Sequence, residues 1–143
     1  MLETIALTKP INITATHKKC TKCGTELPLE CFGIQKQGIY GKQAQCKKCK
    51  NLWHKEFRTR VRKKVISHYG GKCECCGEDR YEFLAIDHIK GNGNKHRKKE
   101  KYTELARWLT QNNYPKGYRV LCHNCNMAIG FHGYCPHQTK LIN

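Results

Sequence analysis

The sequence predicts a small, zinc-stabilised α+β protein, and three observations predict it. Eight of the eleven cysteines in 143 residues fall into four Cys-x-x-Cys pairs. Between the second and third pairs, apolar residues recur every four positions. Around the third and fourth pairs, short β-branched and aromatic runs lie between glycine-rich turns. The pairing matters because a module of about 60 residues buries too little surface to be comfortably stable, and a structural metal supplies what the core lacks. In an intracellular chain, Cys-x-x-Cys spacing reads as zinc rather than disulfide, and an odd cysteine count fits a disulfide framework poorly.

The formal charge is +16, from 27 Lys and Arg against 11 Asp and Glu. Such an excess opposes compaction by self-repulsion, so a polyanionic partner is the natural explanation. A merely soluble, charged surface is the other reading, but the charges cluster instead of alternating in sign. No secretory apolar segment precedes a cleavage site near Met1, and no run approaches the roughly 18 apolar residues needed to span a bilayer. The expectation is an intracellular protein, in the cytoplasm of a bacterial or phage-infected cell, with no membrane partner.

Taken in order, residues 1–17 read as a flexible arm, polar and β-branched, with room for one strand near Ile11–Thr14. Residues 18–51 read as a four-cysteine zinc module. Cys20, Cys23, Cys46 and Cys49 give the spacing C-x2-C-x22-C-x2-C, two knuckles that supply the four soft ligands tetrahedral zinc needs. Gly24 suits the positive φ of the turn after the first knuckle. Leu29, Phe32 and Ile34 are the candidate core of this module.

Residues 52–70 read as a basic linker helix, whose pattern runs from about Lys50 to Tyr69 and stops at Gly70-Gly71. Trp53, Phe57, Val61 and Val65 form one stripe, read as core packing. Arg58, Arg62 and Lys63 are on the other faces, as a solvated surface or as phosphate contacts.

Residues 71–143 read as a second zinc domain. Cys73, Cys76, Cys122 and Cys125 are its tetrad, with 45 residues between the two knuckles. Tyr81–Ile89 has strand composition and ends in Asp87-His88. Gly91–Asn94 is a turn, followed by a basic loop with His96, Arg97, Lys98 and Lys99. Thr103 is placed to cap a short helix through Leu109, with Leu105, Trp108 and Leu109 facing inward. Tyr118–Leu121 is the return strand, running into the Cys122 knuckle. A last helix opens at Asn126. Cys31, Cys75 and Cys135 are left over and read as spare thiols, although Cys135-Pro136-His137 could support another site. His123 reads equally as a surface or a phosphate-facing residue.

A strand ending in Asp87-His88, a return strand into Leu121-Cys122, and a helix headed by Cys125-Asn126 resemble the ββα-metal fold of HNH endonucleases, a treble-clef-like arrangement. The likeness covers Gly71 to Gly130 and is nearest to the zinc-braced subgroup of endonuclease VII type. The first zinc module is similar to those preceding the nuclease domain in small phage-type proteins. What the resemblance implies is DNA hydrolysis. His88 would be the general base; its type suits the task because an unperturbed imidazole titrates near neutrality. Asp87 and Asn126 would hold one catalytic Mg²⁺ or Mn²⁺, beside two structural zinc ions. His96, Arg97, Lys98 and Lys99, with Arg58, Arg62 and Lys63, would be the nucleic-acid contacts. Double-strand cutting needs two sites and the chain holds one, which points to a homodimer.

Two departures stand out. Many members carry His where Asn126 stands. Where the family's middle Asn belongs, this chain reads Lys116-Gly117-Tyr118, with Asn112 and Asn113 out of register, so that role falls to the backbone, to Tyr118 or to no residue. A satisfied core histidine at position 88, in a non-catalytic zinc-finger protein that binds nucleic acid, is the competing reading.

Overall fold

The structure, a computed structural model, describes residues 16–141. The strand read near Ile11–Thr14 and nearly all of the arm lie outside those residues. The chain divides into two compact units between Lys55 and Glu56. Among the described residues there are four α-helices and three two-stranded antiparallel sheets, a small α+β fold. No helix among them is long and apolar enough to cross a membrane.

In the first unit, β1 (His17–Lys19) pairs with β2 (Glu26–Pro28), and β3 (Phe32–Ile34) pairs with β4 (Lys42–Cys46). Cys20-x-x-Cys23 forms the turn between β1 and β2. There Gly24 adopts φ 71°, and its N–H donates to the Cys20 carbonyl. Such a φ costs a side chain with a Cβ but not glycine. The core is Phe32 with Cys20 and Cys46, flanked by Leu27, Cys31 and Cys49. Leu29 is half-buried, but Ile34 is 80% exposed. The expectation that Ile34 joins Phe32 fails because the β3–β4 register shifts between these two residues. A shift of that kind breaks the two-residue repeat that would have put both side chains on one face.

Helix α1 runs Lys47–His68, three residues earlier at its start than the apolar pattern indicates. The second knuckle of the first unit forms its first turn. The stripe is not uniformly buried. Val65 and Ile66 are buried, Phe57 and Val61 half-buried, and Trp53 is 49% exposed.

In the second unit the main hairpin is β5 (Leu84–His88) with β6 (Tyr118–Cys122). The expected strand from Tyr81 begins as a 3-10 turn over Tyr81–Phe83 and becomes extended at Leu84. The register pairs Leu84 with Cys122, Ile86 with Val120, Asp87 with Arg119 and His88 with Tyr118. Successive side chains on a strand alternate faces, so the Asp87–Arg119 pair lies opposite the His88–Tyr118 pair across the sheet. Leu84, Val120, Leu121 and Ile66 form the core together with four cysteines, Cys73, Cys122, Cys125 and Cys135. Helix α4 (His123–His132) packs on β5 and β6.

Two expectations about the segment between the strands need correction. The basic stretch from Lys95 is not a loop but helix α2 (Gly93–Glu100), ended by Lys101 in the left-handed region. Its apolar period is absent because almost every side chain on it meets solvent, so periodicity could not reveal it. Helix α3 (Leu105–Gln111) starts after Glu104, not Thr103, and no side chain caps it. Its inward face is as expected, with Leu109 buried and Leu105 and Trp108 half-buried.

Leu84 is fully buried at the head of the hairpin. Leu84→Ala is expected to lower stability by about 2–5 kcal/mol through the cavity it leaves. Urea unfolding of the zinc-loaded protein, followed by circular dichroism, measures it; a change under about 1 kcal/mol would contradict this packing.

Candidate metal centres and a histidine site

Sulfur geometry defines two tetrads. Cys20, Cys23, Cys46 and Cys49 place their Sγ atoms within 4.8 Å of one another, and so do Cys73, Cys76, Cys122 and Cys125. Cys76 Sγ and Cys122 Sγ are 3.6 Å apart. Zinc–sulfur bonds of about 2.3 Å set tetrahedral S···S edges of about 3.7 Å, so the spacing fits a zinc ion at the centre. Backbone N–H groups point at the sulfurs. Lys22 and Cys46 donate to Cys20 Sγ at 3.4 and 3.3 Å, Cys49 to Cys46 Sγ at 3.5 Å, and Cys125 to Cys122 Sγ at 3.4 Å. These bonds favour thiolate, the form that binds metal.

The thiol acidities follow. The backbone N–H groups of Cys23 and Cys46 bring Cys20 down to about 6, against the opposing pull of burial. The neighbouring Cys46 thiol and then burial push Cys49 up to about 12. In the second tetrad, burial pushes Cys73 up, but backbone hydrogen bonds from Cys76, Cys122 and Cys75 outweigh it and bring the group to about 7. Burial, then the Cys122 thiol, pushes Cys125 far up. Four sulfurs this close cannot all ionise unless a cation shares their charge. The donor set is soft and tetrahedral, which selects zinc over magnesium or calcium. These cysteine clusters are therefore compatible with zinc in both geometry and chemistry.

At the far end of the hairpin, His88 closes β5. Its Nε2 lies 3.0 Å from His96 Nδ1 on α2, and Tyr118 Oη lies 3.5 Å from that same nitrogen. Tyr118, opposite His88 in the register, meets the His88 ring at 4.8 Å between centroids. Trp108 and Tyr102 hold the other sides of His96, at 4.4 and 5.0 Å. Burial and then the neighbouring His96 imidazole keep the His88 pKa below its ordinary value, with Asp87 opposing. Gly93, the first residue of α2, passes beside the ring. A Cβ on it would lie 3.1 Å from His88 Nδ1. A side chain at this position would require the imidazole to give by a few tenths of an ångström.

The other expected site residues have separate settings. Asp87 Oδ2 accepts a 2.9 Å bond from Arg119 Nε in a largely buried ion pair. Asn126 is half-buried in the first turn of α4, and His123 beside it is exposed. Lys95, Arg97, Lys98 and Lys99 are exposed on α2, around the half-buried His96. On α1, Arg62 is occupied internally: it donates to the Leu84 carbonyl and lies 5.0 Å over the Tyr81 ring. Lys63 also lies over Tyr81, at 5.1 Å, and Arg58 reaches Glu104 at 3.5 Å.

Sequence reasoning grouped His96 with the phosphate contacts and missed its contact with His88. The eight-residue spacing between them gave no helical cue, because a strand end, a turn and a helix start intervene. Cys75 and Cys135, read as spares, also prove to be close neighbours of Cys125. Comparison with protein-family models, curated proteins and solved structures returned no match.

Replacing one ligand isolates one metal site. Cys46→Ser is expected to remove one zinc per chain relative to wild type and to lose the amide dispersion of residues 16–50. Elemental analysis with ¹⁵N NMR checks this, and an unchanged zinc content would refute the first tetrad.

Proposed function

We propose that the chain is a metal-dependent DNA endonuclease of HNH type, with His88 as general base. The observation that carries the reading is the 3.0 Å contact between His88 Nε2 and His96 Nδ1 at the open end of the hairpin, beside a helix lined with exposed lysine and arginine. A base needs a fixed tautomer and an accessible lone pair. When His88 Nε2–H donates to His96, the lone pair is on Nδ1. That is the nitrogen beside Gly93, where no Cβ crowds an approaching water.

In this reading His88 Nδ1 takes the proton of a water that attacks the scissile phosphorus. His96 accepts from His88 Nε2–H and holds the ring still, and Tyr118 and Trp108 hold His96 in turn. His96 thus fills the orienting role for which the sequence offered no asparagine. Arg97, Lys98 and Lys99 bind the flanking phosphates, a sequence-independent and salt-sensitive contact. The oxygens of Asp87 and Asn126 have the hardness that Mg²⁺ and Mn²⁺ select, and Asp87 has given only one of its two oxygens to Arg119. A divalent cation held there would supply stabilisation of the charge that develops on phosphate. Two copies of the chain would be needed to cut both strands.

The Asp87–Arg119 ion pair favours a second reading. If that pair is purely structural, the chain binds nucleic acid through its basic helix and cuts nothing.

Plasmid DNA incubated with Mg²⁺ or Mn²⁺ separates the two. Wild type is expected to nick or linearise it, and His88→Ala to slow cleavage by about 10²–10⁴-fold. Binding without cleavage by wild type, or equal cleavage by the variant, sinks the nuclease reading. Gly93→Ala is a finer test. It is expected to cut the rate at least about tenfold with unchanged zinc content and near-ultraviolet dichroism, because the added methyl covers His88 Nδ1. Full activity in Gly93→Ala would mean that Nδ1 is not the working nitrogen.

A further inference from the structure

The two tetrads leave three cysteines over, Cys31, Cys75 and Cys135. Two of these meet. Cys75 Sγ, Cys135 Sγ, Cys125 Sγ and His137 Nδ1 lie within 4.8 Å of one another. His137 Nδ1 is 3.3 Å from Cys125 Sγ and 3.4 Å from Cys135 Sγ. Tetrahedral zinc with thiolate and imidazole ligands sets S···N edges of about 3.5 Å. Cys125 also forms one corner of the tetrad with Cys73, Cys76 and Cys122.

We propose that the second unit carries a binuclear zinc centre in which the Cys125 thiolate bridges two ions, the second held by Cys75, Cys135 and His137.

The ligand count fits. Two four-coordinate ions that share one donor need seven donors, and six sulfurs with one imidazole nitrogen supply seven. One ion cannot use both sets, because zinc in structural sites takes four ligands. The charge also fits. A lone zinc ion held by four thiolates carries −2. A second Zn²⁺ adds two positive charges, and the thiolates of Cys75 and Cys135 add two negative ones, so the enlarged centre is still at −2. The Cys125 sulfur has lone pairs to spare for a second bond. It is fully buried, as is Cys135, where a thiol has only weak S–H bonds to offer its neighbours.

The fold delivers these ligands by two devices. In Cys73-Glu74-Cys75-Cys76 the knuckle commits its first and last sulfurs to one ion, and Cys75 falls on the other side. After α4, Gly133 takes φ 77° and reverses the chain. The return brings Cys135 and His137 back to Cys125 in the first turn of the same helix. There the Gln138 N–H donates to the Cys135 carbonyl and closes a turn. Three thiolates and an imidazole are a soft set, which favours zinc over hard cations.

The centre is independent of the hydrolysis proposed above, and its test reads metal content. The full chain, produced with excess zinc and purified under reducing conditions, is weighed by native mass spectrometry. Three zinc ions per chain are expected, and two would overturn the proposal. His137 is exposed, so His137→Ala should spare the packing and give two zinc ions. Three ions in that variant would overturn the ligand assignment. Cys31→Ser is the control and should retain three. Cadmium-113 NMR of the substituted wild type reports the bridge without any variant. Two mutually split resonances and one unsplit one are expected, whereas three unsplit resonances would overturn the bridging role of Cys125. Iron with visible charge-transfer absorption in place of zinc would also overturn it.

Discussion

Four sulfurs gathered within 4.8 Å of one another suit a cation at their centre, and both units are built around such a cluster. In the second unit, four of the eight buried core residues are cysteines, and in the first unit two of three. Removing such side chains from water stabilises little by area alone, since each is small. Their contribution comes as metal–ligand bonds, which exist only in the folded chain and so act as folding free energy. The apolar residues that remain in these clusters, Phe32 in one unit and Ile66, Leu84, Val120 and Leu121 in the other, pack together with the cysteines.

The same economy explains how a small unit presents a chemical site at its edge. The hairpin β5–β6 is held at one end by Cys122, a strand residue and a member of the second sulfur tetrad at once. Its other end, at His88 and Tyr118, lies open and beside the basic helix α2. The imidazole pair of His88 and His96 is braced by the rings of Tyr118, Trp108 and Tyr102.

How much of this was legible in the sequence differs by element. Both tetrads were readable because Cys-x-x-Cys spacing is a local property that reports a three-dimensional fact. The two strands and the final helix were readable because Asp87-His88 and the Cys122 knuckle mark their ends. Helix α2 was not, since its polar, basic residues carry no apolar period. The exposure of Ile34 was not, since a register shift is set by pairing and not by composition. The closeness of His96 to His88 and of His137 to Cys125 depends on how a turn returns the chain. The Cys135-Pro136-His137 motif was the one visible trace of the second case. The motif alone reads as packing, because its nearness to Cys75 and Cys125 depends on the chain's return after α4.

Asp87 and His88 are neighbours in sequence, but the pleat sends them to opposite faces, one to Arg119 and the other to Tyr118. A slip of a single residue between β5 and β6 would exchange those faces and seat the carboxylate where the imidazole belongs. Two-stranded sheets this short have few cross-strand contacts with which to resist such slippage. Here Leu84 pairs with Cys122, which cannot shift along the strand without leaving the sulfur cluster of Cys73, Cys76 and Cys125. The brace therefore acts as an alignment stop as well as a source of stability.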